Sequence, residues 1–300
     1  MDRVHLPHGG VSLSRLVLGG MRLATGGDDG SAAAELIEHA VSLGITTFDH
    51  ADIYGGYAVE EAFGRALAAW GGDRESIELV TKCDIMLPVE ARPQNRVKHY
   101  DTSPTHIRTS VERSLRNFDT EYVDLLLLHR PDPLLAADDT AAALAELVKA
   151  GKVRAVGVSN FLPHQVDLLQ SRLDIPLAAN QVELSVLATG ALTDGSLDHA
   201  QQHRYAPMIW SPLGGGGLFT SNDARSARVR AVVERIAAES EVSPGVVALS
   251  WVLRHPSKPV AVLGTTNPDR LTDLARSCEL HLGRQDWFEI LEASEGHPVA

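Results

Sequence analysis

The chain has 300 residues, 44% of them hydrophobic, which is enough to bury one large core. A formal net charge of -12 argues against nucleic acid and anionic membrane surfaces as partners, since both call for a basic face. Two cysteines without a spaced framework, no apolar run near the roughly 18 residues of a membrane span and no leader pattern at the start predict a cytoplasmic protein that acts on small molecules.

In chain order, "VHLPHGGVSLS" reads first as a hairpin with Gly9 and Gly10 at its turn, placed to plug the bottom of whatever follows. Eight apolar runs then recur, each followed by a turn and a segment with helical spacing. They are "RLVLGG" from Arg15, "ITTFD" from Ile45, "IELVTK" from Ile77, "VDLLLLH" from Val123, "VRAVGVS" from Val153, "PLAANQ" from Pro176, "APMIWS" from Ala206 and "KPVAVLG" from Lys258. One intervening helix is plainly punctuated: in "SPTHIRTSVERSL" Ser103 stands as the N-cap and Pro104 at the first helical position. Continuous apolar strands need both faces covered, so the pattern predicts a closed (β/α)8 TIM barrel with an N-terminal β-hairpin, one domain over residues 1–300. An open dinucleotide-binding sheet is set aside, because "VLGGMRLATGGDDG" from Val17 holds no G-x-G-x-x-G fingerprint. The stretch from Cys83 to Ser103 and the segment after Ser211 read as long loops, where barrels carry function.

Three strand runs end on an ionisable residue: Asp49, Lys82 and His129. All strand C-termini of a parallel barrel open on one face, so these side chains should converge there, and Tyr54, five positions past Asp49, can reach the same spot. Singly, each has a plainer reading: a structural ion pair, a loop anchor, a core histidine. Metal chemistry is not expected, because "DHAD" from Asp49 has no second cluster at helix or strand spacing to complete a site.

"FDHADIYGGY", "LVTKCD", "LLLLHRPD" and "GVSNF", in this order and spacing and joined by "NQVE", "WSPLGGGG" and "LGTTNPDR", resemble the aldo-keto reductase family, in particular its bacterial oxidoreductase branch. The resemblance implies an NADPH-dependent reductase of aldehydes or ketones with the tetrad Asp49, Tyr54, Lys82 and His129. Tyr54 would be the general acid, Lys82 would lower its pKa, Asp49 would hold Lys82 charged, and His129 would aim the substrate oxygen. The cofactor would be held by Met21, by Ser159, Asn160 and Gln181 at the carboxamide, and by Trp210 stacked on the nicotinamide. Leu213, Gly214 and Gly216 would cradle the pyrophosphate, with Ser211 and Pro212 beside them at the cofactor. Thr265, Thr266 and Asn267 would donate to the adenosine 2′-phosphate and Arg270 would be its cation, with Asp273 as the family's acid in the same cofactor-binding segment.

Departures from the family pattern at Gly264 and Leu274 leave NADH use open, and His50 stands where threonine is commoner. Nothing names the carbonyl substrate. Arg92, Arg96 and Lys98 raise the idea of an acidic one, and the chain's end soon after "RQDWFEILEASEG" predicts an open, permissive site. The rival reading is an NADPH-binding regulatory or redox-sensing subunit with little turnover. Oligomeric state is not legible.

Overall fold

The computed structural model describes residues 1–7, 10–23, 30–90 and 92–299. It opens with β1 (Arg3–His5) and β2 (Ser12–Ser14), paired antiparallel as the expected hairpin. Of the turn glycines, Gly9 lies outside the described residues, whereas Gly10 has a φ of 66°, a left-handed conformation that favours glycine.

Eight parallel strands follow and close into a barrel, in which order around the wall is order in the chain. They begin with β3 (Leu16–Gly19), β4 (Thr47–Asp49) and β5 (Glu78–Cys83). A short antiparallel ribbon of β6 (Ile85–Met86) and β7 (His99–Tyr100) interrupts the series. The barrel resumes with β8 (Val123–Leu128), β9 (Val153–Ser159), β10 (Ala179–Glu183), β11 (Ala206–Trp210) and β12 (Val260–Leu263). The last strand starts directly after Pro259, whereas β11 carries Pro207 at its second position.

The helices α1 (Ser31–Ser42), α2 (Val59–Trp70), α3 (Pro104–Phe118), α4 (Ala137–Lys149), α5 (Pro163–Gln170) and α6 (Ser196–His203) sit in the crossovers up to β11. After β11 come the short α7 (Gly217–Thr220), then α8 (Ala224–Glu239) and α9 (Pro244–Leu253), and β12 is followed by α10 (Pro268–Ala275) and α11 (Arg284–Glu295). Ser103 caps α3 as predicted: its Oγ accepts the His106 N–H, with Pro104 at the first position.

Side-chain parity positions the site. Leu16, Leu18, Phe48, Leu126, Leu128, Val156 and Val158 pack outward against the helices, while their neighbours Val17, Val80, Leu125, Leu127, Ala155 and Met208 fill the barrel interior. Successive strand residues face opposite sides, so the inward set continues upward to Asp49, Lys82, His129, Ser159, Gln181 and Trp210. The inward chemistry therefore begins where the inward hydrocarbon stops. Leu6, Val11 and Leu13 of the hairpin segment join that same interior cluster from the N-terminal end, with Leu13 fully buried. Arg3 locks the plug by donating to Thr46 Oγ1 at 2.7 Å and pairing with Glu78. Gly157 lets β9 approach β10 closely, since a Cβ there would stand 2.5 Å from the Ala179 carbonyl oxygen.

Candidate active site

At the C-terminal mouth of the barrel, Lys82 is the hub. Its Nζ donates to Asp49 Oδ2 at 2.7 Å, to the His50 carbonyl at 2.7 Å and to Tyr54 Oη at 3.1 Å. Three acceptors match the three N–H bonds of an ammonium. Gln181 Nε2 donates to the other Asp49 oxygen at 2.9 Å, so the carboxylate is fixed from two sides. Tyr54 opens a single helical turn after β4, and the His129 ring meets it edge-on with centroids 6.1 Å apart. All four tetrad positions predicted from sequence are brought together.

A second chain of hydrogen bonds runs alongside. Ser159 Oγ donates to the Gln181 carbonyl at 3.0 Å, Asn160 Nδ2 donates to Ser159 Oγ at 2.8 Å, and Trp210 Nε1 donates to Asn160 Oδ1 at 2.9 Å. Asn160 takes a left-handed φ of 61° to turn back over the rim. The half-buried Trp210 indole is thus held rigidly at the edge of the mouth. After it, Ser211, Gly214, Gly215 and Gly216 all have positive φ, and a Cβ on Gly215 or Gly216 would meet nothing within 4 Å. The Gly214 and Gly216 N–H groups close turns onto the Ser211 and Leu213 carbonyls at 2.8 and 3.1 Å, so what the glycines give a pyrophosphate is close approach of the backbone. Leu213 packs on the core and Pro212 is buried, so these two shape the loop from below.

Thr265, Thr266 and Asn267 form the turn after β12. Asn267 Oδ1 accepts the Arg270 N–H at 2.9 Å as the cap of α10, which leaves its amide N–H bonds free to donate outward, and Arg270 is exposed. Asp273 is engaged elsewhere, accepting from Ser243 Oγ at the cap of α9. Met21 is exposed in the turn after β3. Arg92 stacks on the Tyr57 ring at 4.8 Å rather than standing free, whereas Arg96 and Lys98 are exposed.

A sequence profile of the aldo/keto reductase family matches residues 15–295. The chain belongs to that family. It is 47% identical to the 6-dehydroglucose reductase of Agrobacterium fabrum over 97% of both chains. It is 44% identical to the oxidoreductase YdhF of Escherichia coli, covering 100% of this chain and 99% of the other. A solved structure of a glycerol dehydrogenase from Gluconobacter oxydans superimposes with a TM-score of 0.87 at 27% identity, over 100% of this chain and 98% of that one. These likenesses make this aldo/keto reductase an oxidoreductase with a (β/α)8 barrel, from a family that generally uses NAD(P)H.

Electrostatics of this aldo/keto reductase site separate its four groups. Burial pushes the Lys82 ammonium down, but Asp49 and Tyr54 more than offset it, so the pKa rises and the charge is kept. Burial pushes the Tyr54 phenol up and outweighs the opposing pull of Lys82. Lys82 pulls the Tyr54 phenol down as expected, but burial outweighs it, so Tyr54 holds its proton in the resting site. His129 falls well below the ordinary imidazole range, first through burial and then through Lys82, Arg130 and Lys98, so its ring is neutral and carries one N–H.

One contributor was not visible to sequence reasoning. Arg22 Nη1 donates to the Gly264 carbonyl at 3.3 Å and Nη2 reaches the Gly215 carbonyl at 3.5 Å, so one cation bridges the loops after β11 and β12. It lies against the face of Gly264, at 3.5 Å from where a Cβ would be. No local spacing announces the Arg22 bridge. At His50, where the sequence departs from the family pattern, the ring packs on Phe63 and Phe118 at 4.2 and 5.2 Å and is pushed down to about 3 by burial and Lys82, while the His50 carbonyl binds Lys82.

Proposed function

We propose that this aldo/keto reductase is an NADPH-dependent reductase of a polyhydroxylated, sugar-derived aldehyde, with Tyr54 as general acid. The observation that carries the reading is the Lys82 ammonium held at once on Asp49 and on the Tyr54 hydroxyl. A nicotinamide bound along Ser159, Asn160, Gln181 and Trp210 would supply hydride to the carbonyl carbon. As charge builds on the carbonyl oxygen, the Tyr54 O–H proton passes to it, and Lys82 stabilises the phenolate left behind. The Asp49 carboxylate balances that ammonium, and the neutral His129 ring orients the carbonyl oxygen through its N–H. Tyr54 is then reprotonated from solvent, so one aldehyde, one hydride from the reduced nicotinamide and one proton would leave as the alcohol and the oxidised cofactor.

Two observations support the substrate class. The relative of Agrobacterium fabrum bears the name 6-dehydroglucose reductase. A cavity of about 380 Å³ borders the mouth, with apolar Phe161, Leu162 and Val182 in its wall beside Arg130, Asn160, Glu183, Asp194 and Ser196, whose polar groups suit hydroxyls. Preference for NADPH is supported by the exposed Arg270 beside the Thr265 to Asn267 turn and by Arg22 at Gly264. The free thiols of Cys83 and Cys278 support a cytoplasmic setting.

The test is turnover of a sugar 6-aldehyde and of simple aldehydes, with NADPH and NADH, by wild type and Tyr54→Phe. Tyr54→Phe should lose about 100-fold to 10000-fold in kcat while binding NADPH as wild type does. A kcat within a few-fold of wild type would remove Tyr54 from the acid role. Failure of wild type to turn over any aldehyde while binding NADPH would favour the regulatory reading.

A further inference from the structure

We propose that Asp167, His199 and His203 form a site for one divalent transition-metal ion, Zn²⁺ by preference, on the outer wall between α5 and α6. His199 and His203 lie one turn apart on α6, and their rings stand 4.2 Å apart between centroids. Asp167 projects from the neighbouring α5, with Oδ1 at 2.9 Å from His199 Nε2 and 4.0 Å from His203 Nε2. The three donor atoms lie within 4.8 Å of one another. Ligands bound at about 2.0–2.2 Å to a tetrahedral ion stand about 3.3 Å apart, so the two carboxylate distances bracket the edge required. Small torsional shifts of Asp167 and His203, both exposed, would equalise them.

The buried member is already held as a ligand needs to be. His199 is 8% exposed, and its Nδ1 stands 2.9 Å from Tyr205 Oη, the outer contact that fixes ring orientation in metal-binding histidines. Binding through Nε2 requires the proton to sit on Nδ1. The Tyr205 hydroxyl can accept that N–H as readily as it donates to a bare nitrogen, so the change of tautomer leaves no orphaned group. Two imidazoles and one carboxylate suit Zn²⁺, Ni²⁺ or Cu²⁺, whereas Ca²⁺ and Mg²⁺ prefer oxygen donors. Three protein ligands leave a position for water, and the ion would staple α5 to α6. Local spacing shows only half of the site, the i,i+4 pair His199 and His203, because Asp167 is 32 residues from His199.

The untagged, chelator-treated full chain would be titrated with ZnCl₂ by calorimetry and with CoCl₂ by visible absorption, for wild type, His203→Ala and Asp167→Asn. Wild type should bind one equivalent with micromolar affinity and show cobalt bands of a low-coordinate site. Each variant should bind at least about tenfold more weakly. Zinc should raise the thermal midpoint of wild type and not that of His203→Ala. Both substituted residues are exposed, so the variants keep the core. Wild-type affinity no tighter than that of either variant overturns the proposal.

Discussion

Tyr54 grips its proton more firmly than a tyrosine in water, because burial opposes the phenolate more than Lys82 favours it. That sets the sign of the pH dependence. Carbonyl reduction needs the loaded acid, so its kcat/KM should be level through neutral pH and fall only above the ordinary tyrosine value of about 10. Alcohol oxidation needs the phenolate and should rise over the same limb. His129 is held neutral by burial and three nearby cations, so it should add no inflection near the ordinary imidazole value of about 6.5. Rate profiles measured in both directions check this, and a fall in reduction centred near neutrality would assign the acid to another group.

The loops after β11 and β12 come from distant parts of the chain, and Arg22, on the turn after β3, is what touches both. Removing that guanidinium should loosen the phosphate end of the groove while leaving the tetrad intact. Arg22→Ala is expected to weaken NADPH binding about tenfold with kcat little changed, the loss of a charged contact to phosphate. Tryptophan fluorescence quenching on titration with NADPH would report it, and an unaltered Kd would return Arg22 to a purely structural bridge. The same residue marks how far the sequence could be read. All eight barrel strands were legible, because strands buried on both faces leave unbroken apolar runs, and Asp49, Lys82 and His129 were legible because they end such runs. The ribbon of β6 and β7 was not, since strands of two residues carry no periodicity. Contacts between distant parts of the chain, made by Arg22 between loops and by Asp167 and His199 between helices, have no signature in local spacing. The net direction at Tyr54 was not legible for a related reason: Lys82, which lowers its pKa, is visible in the sequence, but the depth of burial that outweighs it is not.

The barrel divides its labour along its axis. Charged and polar groups converge at the C-terminal mouth, whereas the N-terminal end is closed by Leu6, Val11 and Leu13 packed into the interior hydrocarbon. Between them stand the inward layers of Val17, Val80, Leu125, Leu127 and Met208, which have no polar group to transmit a change. Damage to the plug should therefore appear as lost stability and not as altered chemistry. Leu13 is fully buried, so Leu13→Ala should cost about 2–5 kcal/mol, the range for a buried leucine whose cavity cannot fully collapse. The denaturant midpoint should drop accordingly, while kcat/KM for the folded fraction stays at the wild-type value. A fall in kcat/KM at temperatures where the variant is fully folded would mean that strain in the plug reaches Asp49 and Lys82 along the strands. The two ends would then be coupled, and the mouth could no longer be treated as a site grafted onto an indifferent base.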